Sequence, residues 1–586
     1  MRKLEAATER ERVTQPASAA EIDGASDLAG RLSRPWIASY PEGCRWDAPL
    51  ERGTLGGLLD RAVARWGAKP ALEYRGRQIS YSELGAAVER LAAGLMGLGL
   101  GQGQAVGLLL PNTPWHPVCF LALARIGARV VHLSPLDAKR VLQHKLRDSG
   151  ARLLVTTDLP GLPAAALDLL ETGAVERVLL GEDAAWLSGE ADGGVEPDAR
   201  FLRLSALSAE PPASWPRVSP DDVALLQYTG GTTGMPKGAM LTHGNLTAAV
   251  SIYQNWNDGG VLVAGEQRVL AVLPLFHIYA LTTVLLRHLA DGNEILLRPR
   301  FDAETTLRDI EGRRVTVLSG VPTIWIALLN HPGAAAFDLS SLRACISGGA
   351  PLPFEVAARV ESLLGQRLRI GWGMTETGPA GTRVPVVATP RPGIIGLPLP
   401  GVDLRIVSME DPARPLPPGE VGEIAIRGPS VFAGYWNQPA ETEATFRDGW
   451  FLTGDIGRME EDGMFFLMDR RKNMIISGGF NVYPAAIEAA IHEHPDVAEV
   501  IVIGIPDPYR GQSAKAFVTL RPGAPEMTLD ALKAFLRDRV GRHEMPAALE
   551  LRDSLPRSPA GKLLASTLVA EERARAEAAA QEGSNP

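Results

Sequence analysis

Cysteine is nearly absent: Cys44, Cys119 and Cys345 are the only three in 586 positions, far apart and forming no CxxC. That excludes a disulfide scaffold or a cysteine metal cluster, and makes a reducing cytoplasm the expected compartment. The chain also lacks a basic run of the sort a phosphate backbone demands, because Arg-rich stretches such as 572–577 alternate with acid. Nucleic acid is therefore not an expected partner. No apolar segment follows the charges of the first residues, so no secretory signal is expected. The uncharged stretch Val269–Leu286 reaches the lower edge of membrane-spanning length, but Pro274, His277, Thr282 and Thr283 interrupt it. It reads as a buried strand followed by a buried helix, with no transmembrane segment expected. Peripheral membrane contact and homodimerisation stay open. What is present in quantity, 45% hydrophobic and 22% charged residues with a net charge of −9, is the composition of a globular protein. The length suggests roughly three to four domain-sized units, some of them merged.

From about Trp46 onward, short apolar strands alternate with amphipathic helices, which predicts an α/β fold with largely parallel pairing. Ser80 and Glu83 form a capping box, and Leu84, Val88, Leu91, Leu95 and Leu98 recur at helical spacing up to the glycines of 97–103. That cluster stops a helix; it leads into a strand and never satisfies GxGxxG, so a dinucleotide fingerprint is excluded. Strands are expected at 105–110, 128–133 and 152–157, with helices at 117–126 and 137–148. The Ala/Gly/Pro-rich interval 159–220 reads as surface elaboration. A second body begins after the strand Met464–Met468, where DRRKN packs polar residues, and a smaller βαβ-like pattern runs from 485 to about 570. The tail from Glu571 lacks an apolar stripe and reads as a solvated, fraying helix.

The stretch Tyr228–Gly238, YTGGTTGMPKG, follows the apolar run Val223–Gln227. A strand emptying into such a loop can wrap an anion: glycines turn backbone N–H groups toward phosphate, threonines add donors and Lys237 adds charge. Its spacing differs from the nucleotide P-loop, and a Gly/Thr-rich surface turn is the plain alternative. Further polar clusters follow in order: SGGAPLP at 347–353, GWGMTETGP at 371–379, GYW at 434–436, TGD at 453–455, DRRKNMIISGGFNVYPAAIE at 469–488 and PRSPAGK at 556–562.

Together these clusters resemble the motifs of the adenylate-forming superfamily of acyl-CoA synthetases, peptide-synthetase adenylation domains and beetle luciferases. The likeness runs from about residue 45 to 565, and within the superfamily PWIASYPEG and LPLFHIYALT look most like the bacterial long-chain fatty-acid–CoA ligases. The resemblance implies a large N-terminal domain of stacked α/β subdomains over 46–468 and a small, mobile α+β C-terminal lid over 469–570, hinged at 469–472. Residues 1–45 would be a leader and 571–586 a charged tail. It implies activation of a medium- or long-chain fatty acid with ATP and Mg²⁺ to acyl-AMP, then transfer to coenzyme A; dicarboxylic or aryl acids, or a carrier-protein thiol, are the alternatives.

By the same resemblance, Thr229, Gly230, Gly231, Thr232, Thr233, Gly234 and Lys237 hold the β- and γ-phosphates. Glu376, with Thr229, holds Mg²⁺, and Thr375 bonds the α-phosphate. Gly348, Gly349 and Ala350 let the backbone approach the base and the acyl channel. Trp372, flanked by Gly371, Gly373 and Met374, is expected as an exposed platform for adenine. Asp455 receives the ribose hydroxyls and Arg470 reaches the ribose or phosphate side. Lys562 neutralises the oxygens between carboxylate and α-phosphate, and His277 lies at the acyl-pocket wall. Lys472 is the hinge, and Gly478 and Gly479 line the pantetheine tunnel. The plain alternatives are a core histidine at 277, a core tryptophan at 372, a turn residue at 455 and a surface lysine at 562.

Overall fold

The structure is a computed structural model that describes residues 34–186, 198–229, 235–256, 260–350, 352, 354–471, 473–477, 480–507, 510–537, 539–541, 544–557 and 563–582. Among them, three sheets carry the architecture. The first has seven strands, in spatial order Leu202–Arg203, Arg177–Gly181, Leu153–Thr157, Ala105–Leu108, Arg129–His132, β1 (Val223–Thr229) and β2 (Lys237–Thr242). All of its neighbours run parallel except β1 and β2, which form an antiparallel pair around the glycine-rich loop.

The second sheet has fourteen strands and changes character along its length. Its central part is parallel and includes β3 (Val317–Gly320), β4 (Ala344–Ser347) and β5 (Leu368–Trp372). Beyond β5 the pairing turns antiparallel, through β6 (Thr382–Arg383) to a group that contains β7 (Trp450–Met459) and β8 (Phe465–Arg470). The expectation of largely parallel pairing therefore holds for only five of the thirteen strand pairings of this sheet. Parallel strands need helical crossovers, and the chain supplies them only up to Leu364; after that, short loops make antiparallel neighbours.

Local readings carry over well where the pattern is periodic. Helix α1 (Tyr81–Gly97) begins at the Ser80–Glu83 capping box, with both reciprocal bonds formed, and buries Leu84, Val88, Leu91 and Leu95. The stretch 269–286 contains the strand Arg268–Ala271 and a buried helical run from Ile278 to Ala290 whose middle, Leu281–Leu286, widens to π geometry. Among the described residues, no helix is long and apolar enough to cross a membrane.

Three expectations are corrected. Residues 34–45 do not belong to a loose leader: Trp36 is buried beside Phe465, and Arg34 Nε donates to Asp403 at 2.8 Å. The interval 159–220 is more than surface elaboration, because it contributes the helix Leu162–Glu171 and two strands of the first sheet. The tail is held as well. The helix Ala565–Glu582 buries Leu568, and Glu572 and Arg575 pair with Lys515 and Glu550.

The C-terminal sheet is mainly antiparallel, with Val497–Asp507 and Gly511–Leu520 as its longest pair, and it packs helix α2 (Pro484–His492) over its own apolar core. It meets the large body where the chain crosses: Asp469 and Arg470 are the last residues of β8, and Asp469 Oδ2 accepts from Ala485 N of α2 at 2.8 Å. The first two residues of the expected hinge are thus strand, and Lys472 lies outside the described residues.

Candidate active site

The ends of β5 and β8 converge on the middle of β7. Asp455 and Arg470 are directly paired in the β7–β8 register, and Arg470 Nε lies 2.8 Å from Asp455 Oδ1. Trp372, the last residue of β5, donates its indole N–H to Asp455 Oδ2 at 2.7 Å. Asp455 is 1% exposed, and its Oδ1 receives no aligned hydrogen bond among the described residues. A buried carboxylate oxygen with spare acceptor capacity fits a ribose hydroxyl donor.

Trp372 corrects the exposed-platform expectation. It is 8% exposed and belongs to the main core cluster. Its neighbour Gly373 has the chain folded onto it: a Cβ there would meet Pro379 O at 1.6 Å, so no other residue fits. The glycines beside Trp372 reflect this close backbone approach, and the indole serves Asp455 from within the core.

Glu376 lies in the short 3-10 turn Thr375–Thr377, just after β5. It is buried, and burial raises its carboxyl above the usual carboxylate range while the Tyr435 hydroxyl, donating to Oε1 at 2.8 Å, pulls the other way. Tyr435 is placed by the GYW segment, which zips along β2: Met240 N donates to Gly434 O and Trp436 N donates to Gly238 O. Lys237 opens β2, pairs with Glu441 and lies 5.6 Å from the Tyr435 ring. Thr229, which ends β1, sits opposite Lys237 in the same register. Lys237, Tyr435 and Glu376 thus form one continuous polar strip, anchored below by Tyr228 and Trp436, which both bond Asp148.

This strip admits a magnesium ion. Among the described residues, no group of three His, Cys, Asp or Glu side chains is arranged to cage a metal. The one buried carboxylate of Glu376 suits Mg²⁺, which takes one or two protein carboxylates and fills its remaining positions with phosphate and water.

The residues expected on the acyl side lie on β3, β4 and the 277–290 helical run. His277 caps the helix start, its Nδ1 accepting from Tyr279 N at 3.2 Å. The Tyr279 ring lies on Gly348, where a Cβ would meet Cζ at 3.1 Å, and Gly349 adopts φ +79, a left-handed conformation that favours glycine. Ala350 ends this glycine turn, half-buried.

Gly230, Gly231, Thr232, Thr233, Gly234, Gly478, Gly479 and Lys562 lie outside the described residues. Among the described site residues, the structure brings together Trp372, Asp455 and Arg470, and beside them Glu376 and Lys237. Tyr435 was missed as a site residue by sequence reasoning although its GYW motif was noted; the signal was a tyrosine between two residues whose backbones pair with β2. Tyr279 lies within LPLFHIYALT although only His277 of that segment was singled out, and Ser319 and Arg383 belong to no motif.

A model of the AMP-binding enzyme family matches residues 59–436, and a model of the AMP-binding enzyme C-terminal domain matches 486–562. The chain belongs to the AMP-binding enzyme family. It is 36% identical over 555 residues to a long-chain-fatty-acid–CoA ligase of Bacillus subtilis (strain 168), covering 92% of this chain and 98% of the relative. It is 39% identical over 504 residues to a feruloyl-CoA synthase of an Amycolatopsis species, covering 84% and 94%. Among solved structures it resembles ATP-bound MatB from Rhodopseudomonas palustris, with a TM-score of 0.77, 29% identity and coverage of 88% and 99%. The large adenylate-forming domain with a smaller C-terminal domain is thus the fold of this chain, and the adenylate-forming CoA ligases use ATP, Mg²⁺ and CoA.

Proposed function

We propose that this chain is an AMP-forming acid–CoA ligase whose substrate is a fatty acid of medium or long chain. The observation that carries the activity is the Trp372–Asp455–Arg470 cluster beside the Glu376–Tyr435–Lys237 strip, which joins a ribose-binding carboxylate to a phosphate-binding cation. The fatty acid follows the Bacillus relative, which matches over almost the full length. An aryl acid is the second reading, favoured by the higher identity to the feruloyl-CoA synthase.

In this reading the acid carboxylate attacks the α-phosphate of ATP, an acyl-phosphate bond forms and pyrophosphate leaves; a thiolate of CoA then attacks the acyl carbon and AMP leaves. Charge accumulates on transferring oxygens, so the residues serve chiefly to position and neutralise. Asp455 receives the ribose hydroxyls and Arg470 braces Asp455. Thr229 and Lys237, at the mouth of the glycine-rich loop, take the β- and γ-phosphates, and Thr375 bonds the α-phosphate. Glu376, with Thr229, would hold Mg²⁺, which supplies charge neutralisation on the phosphates. Lys562 would neutralise the reacting oxygens, and a rotation about Lys472 would exchange it for Gly478 and Gly479 in the second half-reaction.

Acid-dependent exchange of labelled pyrophosphate into ATP tests the first step, and the thioester mass after adding CoA tests the second. Exchange without thioester would instead indicate an acyl-AMP ligase for a carrier protein. Lys562→Ala should remove exchange while leaving thioester formation from supplied acyl-AMP much less affected; equal loss in both steps contradicts the lid exchange.

A further inference from the structure

Two buried hydroxyls, Tyr279 Oη and Ser319 Oγ, lie beside each other, and neither has a well-aligned hydrogen bond among the described residues. Ser319, on β3, is 1% exposed. Strand register places them together. Ser319 pairs with Ile346 and Ile346 with Arg369, and paired residues of a parallel sheet share a face. Gly348, two residues beyond Ile346, lies on that same face, and the Tyr279 ring rests on it with Oη 3.2 Å from where a Cβ would stand. Arg383 reaches the face from β6, opposite Gly371, with its Cδ 3.6 Å from where a Cβ on Gly371 would stand.

The electrostatics agree with this grouping. Burial pushes the Tyr279 phenol above its ordinary range, while the Arg383 charge and the Ser319 hydroxyl act in the opposite direction. Arg383 is 4% exposed, so its charge is not screened by bulk water. A wall meant only for methylenes would be built from apolar side chains, because a buried hydroxyl without a partner costs stability. Phenylalanine in place of Tyr279 and alanine in place of Ser319 would remove that cost.

We infer that Tyr279 and Ser319, backed by Arg383, form an oxygen-binding station in the acyl pocket, so that the preferred acid carries a hydroxyl, phenol or second carboxylate away from the carboxylate that is activated. This inference rests on the ligase reading above and narrows it: both the fatty and the aryl acid remain, provided the tail bears an oxygen.

The test measures kcat/KM for pyrophosphate exchange with matched acids: decanoate against its ω-hydroxy and dicarboxylic counterparts, and cinnamate against a ring-hydroxylated cinnamate. Wild type should favour an oxygen-bearing member of at least one set by about tenfold or more, and Tyr279→Phe and Ser319→Ala should each reduce that ratio severalfold or more, through KM rather than kcat. A best response to the dicarboxylate identifies the Arg383 charge as the recognising group; a best response to a hydroxyl identifies Tyr279 and Ser319. A wild type that favours the plain acid in both sets overturns the inference, as do ratios that both variants leave unchanged. Should Tyr279→Phe fail to fold, the wild-type ratio and Ser319→Ala decide. Exchange with none of the acids overturns the ligase reading and this inference with it.

Discussion

At the proposed nucleotide end of the site the polar side chains already pair with one another, Trp372 with Asp455, Asp455 with Arg470, Tyr435 with Glu376 and Lys237 with Glu441, and only Asp455 Oδ1 keeps acceptor capacity for a ligand. At the proposed acyl end, Tyr279 and Ser319 hold hydroxyls that lie beside each other without a well-aligned hydrogen bond among the described residues. The first end is preorganised for one ligand, and its donors and acceptors are fixed before that ligand arrives. The second is completed only by the substrate, so its polar groups select among acids. Substitutions at the nucleotide end should therefore scale all acids alike, and those at the acyl end should reorder them.

The largest effect is expected at Glu376. Glu376→Gln keeps the shape and removes the charge offered to magnesium, and exchange should fall about 100- to 1,000-fold with every acid. Asp455→Ala comes next. It leaves the Trp372 N–H and the Arg470 guanidinium without their carboxylate and removes the ribose acceptor, so the KM for ATP should rise about 10- to 100-fold, again for all acids. Trp372→Phe is milder: it deletes one donor to Asp455 and keeps most of the buried ring, and a rise of severalfold in the KM for ATP is expected. If any of these variants changed the order of preferred acids, the division between the two ends would break.

The smallest effect concerns the frame both ends share. Burial holds His132 and His243 down at about 4, against an ordinary 6.5. The unfolded chain takes up these protons first as the pH falls, so their contribution to stability is fully present above 6.5 and is lost as the pH drops through 4. On the order of 1–3 kcal/mol per histidine should disappear over that window, read as a falling urea midpoint. A midpoint constant between pH 7 and 4 would contradict this account of the core.

Much of the nucleotide end was legible because its residues sit in contiguous runs. GWGMTETGP contains Trp372 and Glu376 within five positions, and TGD and DRRKN carry Asp455 and Arg470 on adjacent strands. The burial of Trp372 was not legible, since glycines on both sides look alike whether they expose a ring or admit a neighbouring backbone; only Pro379 pressing on Gly373 decides it. The interval 159–220 was misread because its strand Leu202–Arg203 is two exposed residues long and carries no period. The acyl station was hidden for a different reason. Tyr279, Ser319 and Arg383 stand far apart in sequence and share a face only through the register of β3, β4, β5 and β6, which no local pattern records.

The most direct test of the comparison is acid-dependent pyrophosphate exchange measured over one panel of plain and oxygen-bearing acids for wild type, Glu376→Gln and Tyr279→Phe. The account predicts that Glu376→Gln lowers exchange with every acid by a common factor, while Tyr279→Phe reduces the advantage of the oxygen-bearing acids over the plain ones. A common factor for both variants would contradict it.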